Sequence, residues 1–220
     1  MHKTLIQQIT LPPVCRKEVL RYSGAKAEAS AELSALIEEC ITESCNTYGK
    51  VCYAVLSVEE FYSLIPYAKD SDDLSKYLQN ASKIILFAAT VGIEFDRLIY
   101  RYSAVSPAKA LIFQAIGAER IEAACDEFCN QLPELFAGEY VASSRFSAGY
   151  GDFSIEAQRE IFSVLNPEKY IGVTLTDSML MSPTKSVTAI VKICNQPSNK
   201  ANQTQKCNSC QNQNCAFKQN

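Results

Sequence analysis

Apolar residues recur along the chain with two periods, and the switches between them mark the elements. Leu33, Leu36, Ile37, Cys40 and Ile41 fall at helical spacing and predict a helix over 28–45, with Gly49 as its stop. VCYAVLSV at 51–58 predicts a strand, and KIILFAAT at 83–90, the most apolar run in the chain, predicts another. Between them Asp70, Ser71 and Asp73 open a short helical segment through Tyr77. Beyond the turn at Val91-Gly92 the pattern becomes amphipathic and predicts a helix over 93–102. Ser106 before Pro107 is an N-cap and first-turn signature for a long helix that runs to about Leu132, where Pro133 ends it. A helix over about 154–165 ends at Asn166-Pro167, and IGVTLT (171–176), a short segment near SMLM and SVTAIVKI (186–193) read as strands. Helices and strands are mixed rather than strictly alternating. The expected fold class is therefore α+β, a mixed or antiparallel sheet with helices packed against it.

The pattern stops at Cys194. From Asn195 to Asn220 there is no Val, Ile, Leu or Met, and Asn and Gln dominate, so this stretch has nothing with which to join a core. The expected organisation is one domain over 1–194 and a polar tail over 195–220. Within the tail Cys207, Cys210 and Cys215 stand in a C-x2-C-x4-C spacing, and Cys194 offers a fourth sulfur, a set suited to zinc or an iron–sulfur cluster. The alternative is a tail of free or redox-active thiols.

Composition narrows the chemistry. The chain has 220 residues, enough for a sizeable core without disulfides or metal. Lys and Arg number 21 against 24 Asp and Glu, a net charge of −3, which gives no case for binding nucleic acid or an anionic membrane. No apolar run is long enough to span a bilayer. The single histidine, His2, stands at the terminus, so Ser-His-Asp, Cys-His and HExxH chemistry all lack their central group. MHKTLIQQITLPP is too polar, and too soon broken by Pro12 and Pro13, for a secretory signal, so the expected compartment is the reducing cytoplasm.

The candidate chemistry gathers in Arg145-Phe146-Ser147-Ala148-Gly149-Tyr150-Gly151-Asp152. Small residues there let backbone groups approach a ligand, Arg145 can grip a carboxylate with two parallel bonds, and Tyr150 offers a flat face. The plain structural alternative is a surface turn in which Gly149 and Gly151 take positive φ, Asp152 or Ser154 caps the next helix, and Arg145 pairs with some acid. Gly149-Tyr150-Gly151 does not complete a dinucleotide-binding fingerprint, since Ser154 holds the sixth position, and no phosphate-binding P-loop occurs. On the long helix Leu111, Ala115, Ala118, Glu122, Cys125, Cys129 and Leu132 follow one face that is apolar except at Glu122. Glu122 is a candidate acceptor for a ligand's amine or ribose, or else a boundary residue paired near Arg120. Cys125 and Cys129, four apart, either share a metal or fill space as buried thiols.

The run SRFSAGYGDFSIEAQREIFSVLNPEKYIGVTLTDSMLMSPTKSVTAIVKI resembles the activation domain of cobalamin-dependent methionine synthase. The family's Arg-x-x-x-Gly-Tyr motif for S-adenosylmethionine is matched by Arg145, Gly149 and Tyr150. The pattern GV-x-LT (172–176), Ser178, Met181, Pro183 and Ser186-Val187 follows it. A looser resemblance takes in TVGIEFDRLI, Glu119-Arg120-Ile121-Glu122 and VLRYSG (19–24), and reaches from about 15 to 193. The resemblance implies a reactivation subunit that binds S-adenosylmethionine and supports reductive methylation of cob(II)alamin to methylcobalamin. It implies Arg145 on the methionyl carboxylate, the backbone of Ala148 and Gly149 near the adenosyl group, Tyr150 packed on the ligand, and Glu122 as a second anchor. The chain lacks homocysteine, folate and cobalamin modules. It is therefore expected to act in trans, as an accessory methyltransferase component, on a synthase that carries the cobalamin, with flavodoxin or another electron donor. The contrasting expectations are a metal or iron–sulfur electron carrier that docks a corrinoid protein, and a sensor that binds S-adenosylmethionine without methyl transfer.

Overall fold

Strand β1 (Leu5–Thr10) opens the fold. Helices α1 (Arg16–Tyr22) and α2 (Ala31–Ser44), strand β2 (Tyr48–Ser57) and helix α3 (Val58–Leu64) follow. A 3-10 turn at Pro66–Asp70 leads to α4 (Asp72–Tyr77), β3 (Lys83–Thr90), α5 (Glu94–Ser103) and the long α6 (Pro107–Leu135). The chain ends with β4 (Tyr140–Val141), α7 (Ala157–Leu165), α8 (Pro167–Ile171), β5 (Thr174–Leu175), β6 (Met181–Ser182) and β7 (Ser186–Cys194). This computed structural model describes residues 3–25, 30–44, 47–136, 139–142 and 144–194. Cys207, Cys210 and Cys215 lie outside the described residues.

The sheet runs β1-β2-β3-β7-β4 with every neighbouring pair antiparallel, and β5 and β6 form a separate hairpin. The fold is the expected α+β type, with helices on both faces of the sheet. Alternation along the central strands divides their side chains between two cores. Tyr53, Phe87 and Val191 point into one with α1, α2, α5 and α6, while Ala54, Leu86 and Ile190 point into the other with α3, α4, α7 and α8. Because β3 is covered on both faces, it shows no polar side to solvent. This is why KIILFAAT is apolar almost throughout.

Local signals explain several boundaries. Ser57 caps α3 in a reciprocal box, accepting from the Glu60 amide at 3.1 Å while its own amide donates to the Glu60 carboxylate at 2.9 Å. Ser71 caps α4. Three readings of the sequence are corrected. Gly49 does not stop α2, which ends at Ser44; it belongs to β2, where a Cβ would meet the Ala124 methyl at 2.9 Å. Pro133 does not end the long helix, which continues to Leu135. Only one internal amide is lost there, in an exposed last turn, and Leu132 beside it is fully buried and holds the segment down. Helix α7 begins at Ala157, because 154–156 form a tighter turn with Ala157 N–H on Ser154 O at 3.2 Å.

Candidate ligand-binding site

Helix α6 carries Glu119, Glu122 and Asp126 three and seven positions apart, so all three carboxylates stand on one face. Opposite them lies α1, whose Glu18, Arg21 and Tyr22 share a face by the same spacing. Together with Pro12, Pro13 and Cys15 these residues line a cleft of about 570 Å³, within the usual range for small-molecule sites. Arg21 Nη2 pairs with Glu18 at 2.5 Å, and the guanidinium carbon lies 4.2 Å from the Tyr22 ring centroid. Burial, and then the nearby Glu122 charge, raise the Tyr22 phenol above its ordinary pKa.

Arg145 comes from the far edge of the sheet and, without lining the cleft itself, pairs with two of the acids that do. Its Nη2 donates to Glu122 Oε2 at 2.7 Å and its Nη1 donates to Asp126 Oδ1. Its side chain is 20% exposed, against 46% and 66% for the two acids. Burial opposes the guanidinium's charge, but Cys125, Asp126 and Glu122 outweigh it and hold the pKa above the ordinary arginine value. A second cleft of about 310 Å³, lined by Asp126, Cys129, Asn130, Pro133, Val141 and Ala142, meets the first at Asp126 and Asn130.

The rest of the motif turns the other way. Phe146 bridges Ile190 of β7 and packs on Tyr77 with ring centroids 5.4 Å apart, and Ala148 is buried in the α7 core. Gly149 sits at φ 92° and Gly151 at φ 55°, conformations that glycine adopts without a Cβ penalty. A Cβ on Gly151 would also collide with Asp73 Oδ2. The Gly149 amide donates to Phe153 O at 2.8 Å and the Tyr150 amide to Ser147 O at 3.1 Å, so both are committed within the loop. Tyr150 is 61% exposed, and its ring stands edge-on to Phe146. Arg145 and Glu122 are thus brought into contact, whereas Ala148, Gly149 and Tyr150 wrap the sheet edge.

Several details differ from the sequence reading. Asp152 caps α4, eighty positions earlier in the chain, rather than the next helix. It accepts from the Ser71 hydroxyl at 2.5 Å and the Asp72 amide at 2.9 Å, and the Ser71 bond leads the effects that hold its carboxyl below the ordinary range. Glu122 pairs with Arg145, not near Arg120. The buried row of α6 runs through Phe113, Ile116, Ala124 and Phe128, while Leu111 is 52% exposed. Cys125 is a buried thiol that burial pushes far up in pKa; Cys129 is half-buried and raised by the same cause. Cys194 is buried at the end of β7 opposite Tyr140. Among the described residues no group of three or more His, Cys, Asp or Glu side chains is arranged to hold a metal, and no helix is long and apolar enough to cross a membrane.

Sequence reasoning did not single out Glu18, Arg21, Tyr22 and Asp126 as parts of the site. It also missed Arg120, the bulkiest fully buried side chain, which is ion-paired to Glu119. The available signal was positional: Arg120 lies four residues from both Ile116 and Ala124, on the buried row.

The sequence profile of the family described as vitamin B12 dependent methionine synthase, activation domain, matches residues 66–220. The matched range takes in the Asn/Gln/Cys-rich stretch and begins well after the VLRYSG segment. Among solved structures, the crystal structure of the MetH reactivation domain bound to AdoHcy aligns with a TM-score of 0.62 and 14% identity, covering 86% of this chain and 78% of that one. That likeness is one of fold. No curated protein sequence matches significantly.

Proposed function

The chain belongs to the family of vitamin B12-dependent methionine synthase activation domains, and from that membership we propose that it binds S-adenosylmethionine in the cleft between α1 and α6. The observation that carries the reading is the contact between Arg145, from the Arg-x-x-x-Gly-Tyr motif, and Glu122 of α6, which lines that cleft. The donor set suits the ligand. Its methionyl end bears one carboxylate, an ammonium and a sulfonium. Arg145 offers a planar fork for the carboxylate, and Glu122 and Asp126 offer negative charge for the two cations. Tyr22 adds an aromatic wall beside these groups. Tyr150, exposed at the sheet edge, is the one further contact the motif offers, since the Gly149 and Tyr150 amides are committed within the loop and Ala148 faces the α7 core. The solved structural neighbour was crystallised with AdoHcy, the demethylated form of the same ligand.

The family implies association with a cobalamin-dependent methionine synthase. In this reading the chain acts in trans on such a partner, presenting the methyl donor while a reductant such as flavodoxin supplies an electron, so that methylcobalamin is restored. The partner's cobalt supplies the nucleophile and the sulfonium is already activated. The residues here therefore have only to bind, orient and exclude competing water. The test is calorimetric titration of the protein with S-adenosylmethionine beside Arg145→Ala, followed by reconstitution with a cobalamin-loaded synthase. Saturable binding lost in the variant, together with methylcobalamin formation, supports the reading. Absence of wild-type binding at millimolar ligand, alone and with the partner present, overturns it.

A further inference from the structure

We infer that Glu119 and Arg120 form a buried clip that positions the Pro12–Tyr22 wall of the cleft against α6, an inference that rests on reading the cleft as the S-adenosylmethionine site. Arg120 is 1% exposed and Glu119 is 5% exposed. Arg120 Nε and Nη2 hold the two Glu119 oxygens at 2.5 and 2.6 Å. The same guanidinium reaches out of α6 to the N-terminal segment. Nη1 donates to Pro12 O at 2.6 Å, and Nη2 donates to Pro13 O at 3.4 Å. Glu119 completes the clip by accepting from the Cys15 amide at 3.0 Å.

The chemistry of the wall explains why it needs a clip. After β1 the chain leaves the sheet, with Leu11 making its last backbone bond there, to Thr47 O at 2.9 Å. Two prolines follow, which carry carbonyl acceptors but no amide donors and so cannot extend a ladder. A buried guanidinium supplies the missing donors. Cys15, the residue before α1, has no side-chain cap, and Glu119 provides the acceptor its amide needs. From that fixed point α1 turns Glu18, Arg21 and Tyr22 into the cleft, and Glu119 lies one helical turn from Glu122 on α6. The clip therefore sets how far the α1 face stands from the Glu122–Arg145 pair. Apolar packing by Val19 would hold α1 on α6 without fixing that distance. A buried ion pair is rarely the most stabilising filling for such a space, which favours a role in geometry.

The test uses the full chain in three forms: wild type, Arg120→Lys, and the double variant Glu119→Gln with Arg120→Met, which removes both charges and strands neither. Each is followed by circular dichroism, thermal melting, amide hydrogen exchange over residues 12–22 and S-adenosylmethionine titration. Arg120 is a positioning residue if the double variant stays folded while exchange at Cys15 and through α1 accelerates at least tenfold. Its affinity should fall by about tenfold or more, as expected when part of a site is misplaced. Arg120→Lys should restore part of both. Unchanged exchange in a folded double variant overturns the clip, and faster exchange with unchanged affinity overturns its link to the site. If the wild type itself does not bind the ligand, the functional reading fails, and the clip is judged on the exchange data alone.

Discussion

Replacing Arg145 by alanine separates the stability of the site from its use. The two ion pairs it breaks end on carboxylates that are 46% and 66% exposed. Once freed, both acids are rehydrated, and exposed pairs of this kind each contribute about 0–1 kcal/mol. The stem of the arginine, mostly covered, adds a little packing. The total cost to folding is about 1–2 kcal/mol, a fall in Tm of about 2–8 °C for a domain of this size. The cost to ligand binding is larger. A two-pronged hydrogen bond between guanidinium and carboxylate contributes about 1.5–3 kcal/mol, so affinity should weaken by about 10- to 150-fold. Thermal melting and calorimetric titration on the same preparations read the two effects independently. Glu122→Gln should also weaken binding, by removing charge from the cationic end. The double variant should lose less than the sum of the singles, because the residues share a contact. If Arg145→Ala melts as predicted but binds S-adenosylmethionine within twofold of wild type, the arginine serves only to hold Glu122 and Asp126, and its assignment as the carboxylate anchor is wrong.

Three other outcomes are expected. Glu160 carries a buried Oε2 with no hydrogen-bond partner, and burial raises its pKa, partly offset by the Tyr67 backbone. Its folded pKa exceeds the unfolded value of about 4.3, so stability is fully present below that value and declines as pH rises through the folded pKa. Glu160→Gln should therefore melt higher than wild type at pH 7, the gap closing toward pH 4, and a gap that widens in acid would contradict this. Phe128 is fully buried, with ring centroids 5.2 Å from Tyr53 and 5.0 Å from Phe87; Phe128→Ala should cost about 3–5 kcal/mol by denaturant unfolding, and a cost below 1 kcal/mol would show that this core can collapse around the void. Truncation after Cys194, with metal content measured before and after, should leave melting and S-adenosylmethionine binding intact, whereas loss of bound zinc or iron together with reactivation would favour an electron-carrying tail.

The elements most legible in the sequence were those whose environment is uniform along their length. KIILFAAT is covered on both faces, and its boundaries coincide with β3. LIQQIT, by contrast, forms β1 at the sheet edge, where only Ile9 is buried and no alternation develops. Its strand character comes from pairing with β2, a partner distant in the chain, from Leu5 opposite Tyr53 to Thr10 opposite Tyr48. Pro133 and Gly49 misled for the same reason. Each has a strong local preference that tertiary surroundings override, a buried Leu132 in one case and the close approach of Ala124 in the other. In the site, Arg145 and Glu122 were legible as residues that need partners, but neither named the other. Their contact joins a helix and a sheet-edge segment that only the folded chain brings together. Arg120 stayed hidden because burial of an arginine is the exception that composition-based reasoning sets aside.

The placement of Arg145 follows from strand geometry more than from its own chemistry. Phe146 is tied to Ile190 by reciprocal backbone bonds, with N···O distances of 3.0 and 2.7 Å, and its ring belongs to the core beneath α7. Successive side chains of an extended segment leave on opposite faces. Once Phe146 faces α7, Arg145 must emerge toward α6, where Glu122 and Asp126 wait. A register shift of one residue would bury the guanidinium among Tyr77 and Phe153 and expose the phenylalanine, two costs that oppose the slip together. The aromatic residue inside the Arg-x-x-x-Gly-Tyr segment therefore sets the direction of the arginine, and the turn at Gly149 to Gly151 returns the chain to the α4 cap at Asp152. Polar chemistry on one face of the sheet is held in place by apolar packing on the other, so a substitution such as Phe146→Ser should loosen Arg145 from Glu122 without touching either residue.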